Sequence, residues 1–210
     1  MGAWAEGLYD NDRALDALGD LLDGLDPDAG PCALATVIGL RVWLHAPAPS
    51  QEELVELLDR RRDWLSTLPA GARRALEELE REKNALRRGR ARTPAVAGVL
   101  GTYCDGPRYE TLLAVPGSEV IVAELAKEAA ERLDAALEDA SDLYEASVAG
   151  AHLGVLLELS SAGYWSAARE PIARWGQAVD RIDAETKEER EFWDEYVSRL
   201  RRGLALLEKA

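Results

Sequence analysis

The acidic run Asp10-Asn11-Asp12 and the two histidines, His45 and His152, are the residues whose types best suit chemistry at a metal. Carboxylate and amide oxygens ligate hard divalent cations, and imidazole nitrogens suit zinc and other transition metals. One hypothesis is therefore a metal-dependent enzyme or small-ligand protein. Its site would be built from Asp10, Asp12, His45 and His152 around the N-terminal motif.

A structural role competes with this hypothesis for every one of these residues. The run at 10–12 precedes a helical pattern, where an Asp or Asn accepts the unpaired N–H groups of the first turn. The spacing is not that of an EF-hand, because Ala14 stands at a ligand position and no Glu follows at the twelfth. No Glu-x-x-His or His-x-x-x-His spacing supports either histidine. We therefore expect core or helix-end histidines whose ring nitrogens are satisfied locally.

Signatures of nucleophilic catalysis and of phosphate binding are absent from the sequence. It has no Gly-x-Ser-x-Gly elbow, and it has no Gly-x-x-x-x-Gly-Lys loop. We expect no cofactor, and the sequence leans towards a protein that is not an enzyme.

A basic tract formed by Arg87, Arg88, Arg90 and Arg92 is the one weak candidate for contact with nucleic acid. No aromatic residues that could stack on bases are interleaved with it, and the whole chain has a net charge of −14. These features disfavour nucleic-acid binding. They favour a solvated helix end, or a surface that pairs with the acidic residues of this chain.

An acidic stripe gives the strongest indication of a partner. Asp16, Asp20 and Asp23 follow one face of the first predicted helix, and leucines follow another. Acidic surfaces steer basic partners, and tryptophan, of which the chain has six, is enriched in binding hot spots. Trp4 and Tyr9 precede the stripe, and we predict a partner surface formed by these two aromatic residues and the three aspartates if the aromatic side chains are exposed. If both are buried, they close the core instead, and the run at 10–12 is a helix cap.

The preferred hypothesis is a non-enzymatic, cytoplasmic protein-binding module that recognises a basic protein. An inhibitor or immunity protein for a toxin nuclease, or an accessory factor, would have these properties. A self-associating structural protein is a further alternative. No apolar run reaches the length needed to span a bilayer, so we expect no membrane partner.

The elements that must position these residues are predicted to be helices. Ala, Leu, Glu and Arg dominate the composition, and all four favour helix. We predict an all-α fold of about seven or eight helices in one domain, residues 1–210. Residues 31–46 and 142–159 are apolar on every side, which predicts two helices that are buried all round. Other helices are expected at 118–140, at 164–183 with a restart at Pro171, and from Thr186 onwards.

The two apolar helices share a pattern of small residues, which suggests two related halves at 14–92 and 118–208. An irregular segment, 93–117, would join the halves. Its glycines and prolines permit either a small hairpin, with strands at 99–104 and 109–115, or a short helix followed by a loop.

The opening of the chain resembles that of a bacterial family of unknown function, whose members begin Met-Gly-Ala-Trp-Gly-x-Gly-Pro-Phe-Asp-Asn-Asp-Asp-Ala. The matching residues are Gly2, Ala3, Trp4, Gly7, Asp10, Asn11, Asp12 and Ala14. The departures are Ala5, Leu8, Tyr9 and Arg13. The resemblance covers about residues 1–25 and implies no activity or cofactor. It does imply that the opening is a defining feature of the protein.

Overall fold

A computed structural model describes residues 7–26, 33–44, 66, 70, 73, 74, 77, 91–101, 117–140, 143–185 and 190–210. The chain divides into two compact units. Unit 1 comprises Met1–Leu21, Thr93–Tyr103 and Leu125–Ala210, and unit 2 comprises Leu22–Arg92 and Cys104–Glu124. None of the helices among the described residues is long and apolar enough to cross a membrane.

The described residues fold into helices and contain no strand, which confirms the predicted all-α class for this part of the chain. The helices are, in chain order, α1 (Asp12–Asp23), α2 (Ala33–Leu44), α3 (Pro94–Leu100), α4 (Ser118–Asp139), α5 (Leu143–Ser161), α6 (Arg169–Glu185) and α7 (Arg190–Leu207). The total of seven or eight helices for the whole chain stays a prediction.

Helix α2 in unit 2 confirms the buried helix predicted from the apolar run at 31–46. Its described side chains are all buried, including Thr36, Leu40 and Trp43. The Arg92 Nη2 atom donates a hydrogen bond of 3.1 Å to the Trp43 carbonyl, and the Arg92 side chain is itself buried. Arg92 is therefore not part of a solvated helix end, as the sequence suggested, because its guanidinium binds a backbone carbonyl at the end of α2.

Helix α5 is the second apolar helix, and unit 1 is packed around it. Every residue from Ala149 to Ser160 is buried. Helix α7 packs against α5, α6 and α3, and α3 also contacts α5. At Gly203 of α7, an added Cβ would lie 3.1 Å from Leu153 of α5, so this glycine lets the two helices approach closely.

The segment predicted as irregular begins with a helix. Thr93 caps α3 by accepting a 3.4 Å hydrogen bond from the Val96 N–H, and Pro94 occupies the first turn, where its missing N–H costs nothing. Gly101 ends the helix at a φ of 109°, a conformation that favours glycine. Because Val99 and Leu100 are helical, they do not form the strand of the hairpin alternative.

Helix α6 begins later than the sequence predicted. Residues 165–168 are not helical, and the helix starts at Arg169, so Pro171 lies within its first turn and does not restart a longer helix. Helices α4 and α5 end close to the predicted residues 140 and 159.

The two compact units differ from the two predicted halves. Residues 14–21 fall in unit 1 and 22–92 in unit 2, while 118–124 fall in unit 2 and 125–208 in unit 1. Each half therefore contributes to both units. The internal duplication and the single-domain organisation stay predictions.

Candidate functional site

The N-terminal motif forms a closed turn in unit 1. The buried Asp10 carboxylate accepts a 2.8 Å hydrogen bond from the Gly7 N–H, and the Asp10 N–H donates to the Gly7 carbonyl at 3.0 Å. A Cβ added at Gly101 would collide with the Asp10 carboxylate, so that side chain lies directly on the backbone at the end of α3. Asp10 is thus enclosed by backbone groups.

Backbone hydrogen bonds attach this turn to α3. The Leu8 N–H donates to the Val99 carbonyl at 3.1 Å, and the Tyr9 N–H donates to the Leu100 carbonyl at 3.0 Å. Both acceptors lie in the last turn of α3, where carbonyls have no partner within the helix. The turn therefore also caps α3.

Tyr9 is not part of an exposed surface, which corrects the prediction that it forms a partner site. Its side chain is only 1% exposed and lies on α5, where a Cβ added at Gly154 would be 2.5 Å from the Tyr9 ring. Leu8 is also buried and lies near Gly150, one helical turn earlier. The glycines of α5 create the space that these two side chains fill. Trp4, the other predicted aromatic contact, lies outside the described residues.

The helix cap of α1 is Asn11. Its Oδ1 atom accepts a 2.7 Å hydrogen bond from the Ala14 N–H, three residues further on, as an N-cap does. Asn11 also hydrogen bonds with Tyr196 of α7, whose hydroxyl donates to the Ser147 carbonyl at 3.4 Å. Burial raises the pKa of Tyr196, and the hydrogen bond with Asn11 lowers it by less. Asp12, the first residue of α1, is exposed.

The predicted acidic stripe lies on the solvent side of α1. Asp16, Asp20 and Asp23 are exposed, as is Asp12 one turn before them. The opposite side of the helix is buried through Ala14, Ala17, Leu18, Leu21 and Leu22. Because packing fixes this opposite side, the carboxylates are held in a row on a helix that cannot easily rotate.

His152 is a core histidine, but the expectation that both ring nitrogens are satisfied is wrong. The residue is 2% exposed, and within the part of the chain that the structure describes its Nδ1 atom has no hydrogen-bond partner. The pKa of His152 is lowered to about 4, mainly by burial and also by the nearby positive charge of Arg132, while Glu128 opposes the shift. At neutral pH the imidazole is therefore uncharged.

The sequence-predicted metal residues do not form a site. Asp10 is enclosed, Asp12 is exposed and His152 is buried on α5, while His45 lies outside the described residues. Across residues 7–26 and the other described ranges, no three His, Cys, Asp or Glu side chains are grouped so as to hold a metal ion. Of the basic tract, only Arg92 is described, and it is buried; Arg87, Arg88 and Arg90 lie outside the described residues.

Sequence reasoning missed a polar cluster between α4 and α6. Asp134 accepts a 2.5 Å hydrogen bond from the Trp175 indole N–H, and it pairs with Arg174 through contacts of 3.2 Å to Nε and 2.5 Å to Nη2. Trp175 is only 2% exposed, whereas Asp134 is half-buried. The paired carboxylate raises the pKa of Arg174. Nothing in the spacing of the sequence joins residues 134 and 174, because the pairing depends on how two helices pack.

Glu158 is a second feature that the sequence did not single out. It lies in the apolar helix α5 and is wholly buried. Together with His152 it places two ionisable side chains inside a helix that otherwise buries apolar and small residues.

Comparison with known proteins returns no match: no protein-family model, no curated protein and no solved structure is similar to this chain. Its function is therefore argued from its own residues.

Proposed function

We propose that this chain is a non-enzymatic protein-binding module that presents the acidic side of α1 to a basic protein. The observation that carries the proposal is the exposed row of Asp12, Asp16 and Asp20 on a helix whose other side is buried. Carboxylates that are fixed in a row present negative charge that complements a basic surface. Because they are already held in place, binding loses less free energy to ordering them.

The charge of the whole chain supports the same proposal. A net charge of −14 repels nucleic acid and attracts basic proteins over a distance of about 8 Å at physiological salt. An inhibitor or immunity protein, or an accessory factor, acting on a basic protein in the cytoplasm is the role in which such a surface would be useful.

Membership of the uncharacterised bacterial family is part of this proposal. Three residues that match the family opening have structural tasks here: Gly7 and Asp10 close the turn, and Asn11 caps α1. The shared motif would then preserve the docking of the turn and the position of α1, rather than a reaction centre.

The test is capture of host proteins by the tagged chain, with bound proteins identified and quantified. Three forms are compared: the parent, the variant Asp16→Lys/Asp20→Lys/Asp23→Lys, and a control that reverses three exposed acids elsewhere. The control is Asp139→Lys/Glu185→Lys/Glu208→Lys. Both variants change the net charge equally, so only the position of the change differs.

We expect a basic protein to bind the parent and the control, and to be lost from the α1 variant. Its binding should weaken as salt is raised, because surface charges are screened. Equal capture by all three forms, or capture of no basic protein by the parent, would overturn the proposal.

A further inference from the structure

A cleft of about 450 Å³ lies between the second half of α4 and α6, entirely within unit 1. This volume is in the range of pockets that hold small molecules, about 300–1,000 Å³. Its wall carries two acidic and two basic side chains, together with Leu137 and Ala178.

Two of the four charges satisfy each other. Asp134 and Arg174 form the bidentate pair described above, and the Trp175 indole holds the same carboxylate in place. This pair therefore gives the cleft a fixed, electrically balanced wall.

The other two charged side chains of the cleft, Arg181 and Glu138, are exposed, and neither forms an ion pair with a described residue. The Nη2 atom of Arg181 donates to the Leu137 carbonyl at 2.6 Å and to the Glu138 carbonyl at 3.1 Å, which are backbone acceptors near the end of α4. These bonds fix the guanidinium. Among the described residues, no acceptor takes the N–H groups on its Nε and Nη1 atoms, and no donor pairs with the Glu138 carboxylate.

We propose that this cleft binds a small zwitterion, namely a free apolar amino acid or a dipeptide of such residues. The ligand carboxylate pairs with the free edge of Arg181, and the ligand ammonium group pairs with Glu138. Its side chains contact Leu137 and Ala178. A simple anion is repelled by Glu138 and a simple cation by Arg181, whereas a ligand with both charges pairs with both groups.

Calorimetric titration of the full chain with L-leucine and with L-leucyl-L-leucine tests the proposal and distinguishes the two ligand sizes. N-acetyl-leucyl-leucine lacks the ammonium group, and leucyl-leucine amide lacks the carboxylate. The protein variants are Glu138→Gln and Arg181→Gln. Arg202→Gln, an exposed change on α7 outside the cleft, is the control.

We expect saturable binding of at least one of the two zwitterions, weakened about tenfold or more when either charge is removed from ligand or protein. In Glu138→Gln, acetylation of the ligand should have little further effect, because the group that binds the ammonium is already lost. The control should bind like the parent.

Glu138→Gln keeps the test decisive if Arg181→Gln disturbs the end of α4, because the Glu138 side chain makes no hydrogen bond in the described structure. The proposal is overturned if neither zwitterion binds at about 10 mM, a concentration well above a millimolar dissociation constant. It is also overturned if the acetylated ligand binds the parent as tightly as leucyl-leucine. Reversal of the α1 acids should leave this binding unchanged, so the result is independent of the proposed protein partner.

Discussion

The N-terminal turn and the α4–α6 cleft are each built around an aspartate, and the two aspartates have opposite surroundings. Asp10 is buried between the Gly7 N–H and the Gly101 backbone. Asp134 is half-buried and is held by two side chains of α6 at the wall of an open cleft.

The two sites therefore differ in whether their polar groups can be reached by a ligand. Asp10 is buried and accepts a hydrogen bond from the backbone of its own turn, so a ligand would have to displace the turn itself. Around Asp134 the cluster is satisfied, but Arg181 and Glu138, which line the same cleft, keep hydrogen-bonding groups that no described residue uses. The acidic motif that is most conspicuous in the sequence is therefore the less suitable of the two for binding.

Removing the Tyr9 side chain should give the largest effect on stability. Tyr9→Ala deletes a buried aromatic ring that fills the space above Gly154, and such deletions cost about 3–5 kcal/mol. Urea unfolding followed by circular dichroism measures the loss. A cost below about 1 kcal/mol would mean that the turn contributes little to the stability of the fold, and the structural role assigned to the N-terminal turn would be wrong.

Filling the space between Gly154 and the Tyr9 ring should lower the free energy of unfolding by somewhat less. Gly154→Ala places a Cβ 2.5 Å from Tyr9, and overpacking of this kind costs about 1–3 kcal/mol. Gly176→Ala in α6 is the matched control, because an added Cβ meets nothing within 4 Å there and helix propensity should stabilise it by up to about 1 kcal/mol.

A double-mutant cycle identifies the source of the cost. In the Tyr9→Ala background, Gly154→Ala should become neutral or stabilising, because the ring that it strikes is gone. Persistence of the full penalty in that background would assign the cost to another neighbour.

Acidification should destabilise the protein through His152. The folded-state pKa of His152, about 4, lies below the ordinary value of 6.5, so the unfolded chain takes up the proton first. The stabilising contribution is complete above pH 6.5 and is lost as the pH falls towards 4. Between pH 7 and pH 5 the loss should be about 2 kcal/mol.

His152→Leu isolates this contribution from that of the carboxylates. The variant should lack the His152 share of the pH dependence, so the free energy of unfolding of the parent should fall relative to that of the variant by about 2 kcal/mol between pH 7 and pH 5. Parallel pH profiles for the two proteins would show that His152 does not titrate as the burial of its ring implies.

An effect of similar size is expected at the Asp134 cluster, and the smallest effect at its exposed partner Arg174. Asp134→Ala leaves the buried Trp175 indole N–H without its acceptor, which should cost about 1–3 kcal/mol. Arg174→Ala should matter much less, because its guanidinium is exposed and that ion pair is solvated. Equal effects of the two changes in a thermal or urea unfolding series would mean that the ion pair, not the indole, stabilises the cluster.

Helices were predictable where composition and periodicity agree. The apolar runs predicted α2 and α5, because a helix without a polar face must be covered on all sides. The stripe on α1 was predictable for the complementary reason, since its aspartates and leucines follow different sides of one helix. The late start of α6 was not predictable from the sequence. The residues from 164 onwards have a helical composition, but the helix begins only at Arg169.

The sites were much less predictable, because they depend on contacts between distant segments. The sequence alone does not decide whether Tyr9 is buried or exposed, and only the position of Gly154 shows the space in which its ring is buried. The Asp134–Trp175 hydrogen bond joins residues 41 positions apart, for which no local pattern exists. The burial of Asp10 likewise depends on its contact with Gly101, a residue far from it in the sequence.

The N-terminal turn has a consequence for how the chain is made. Tyr9 needs the carbonyl of Leu100 and the space over Gly154, both of which are synthesised long after it. At ribosomal rates of about 5–20 residues per second, the turn waits on the order of ten seconds for its binding site. Until then Leu8 and Tyr9 lack the neighbours that bury them in the folded protein. Unit 1 therefore closes late in synthesis, and this delay is when a chaperone would find a hydrophobic segment to hold.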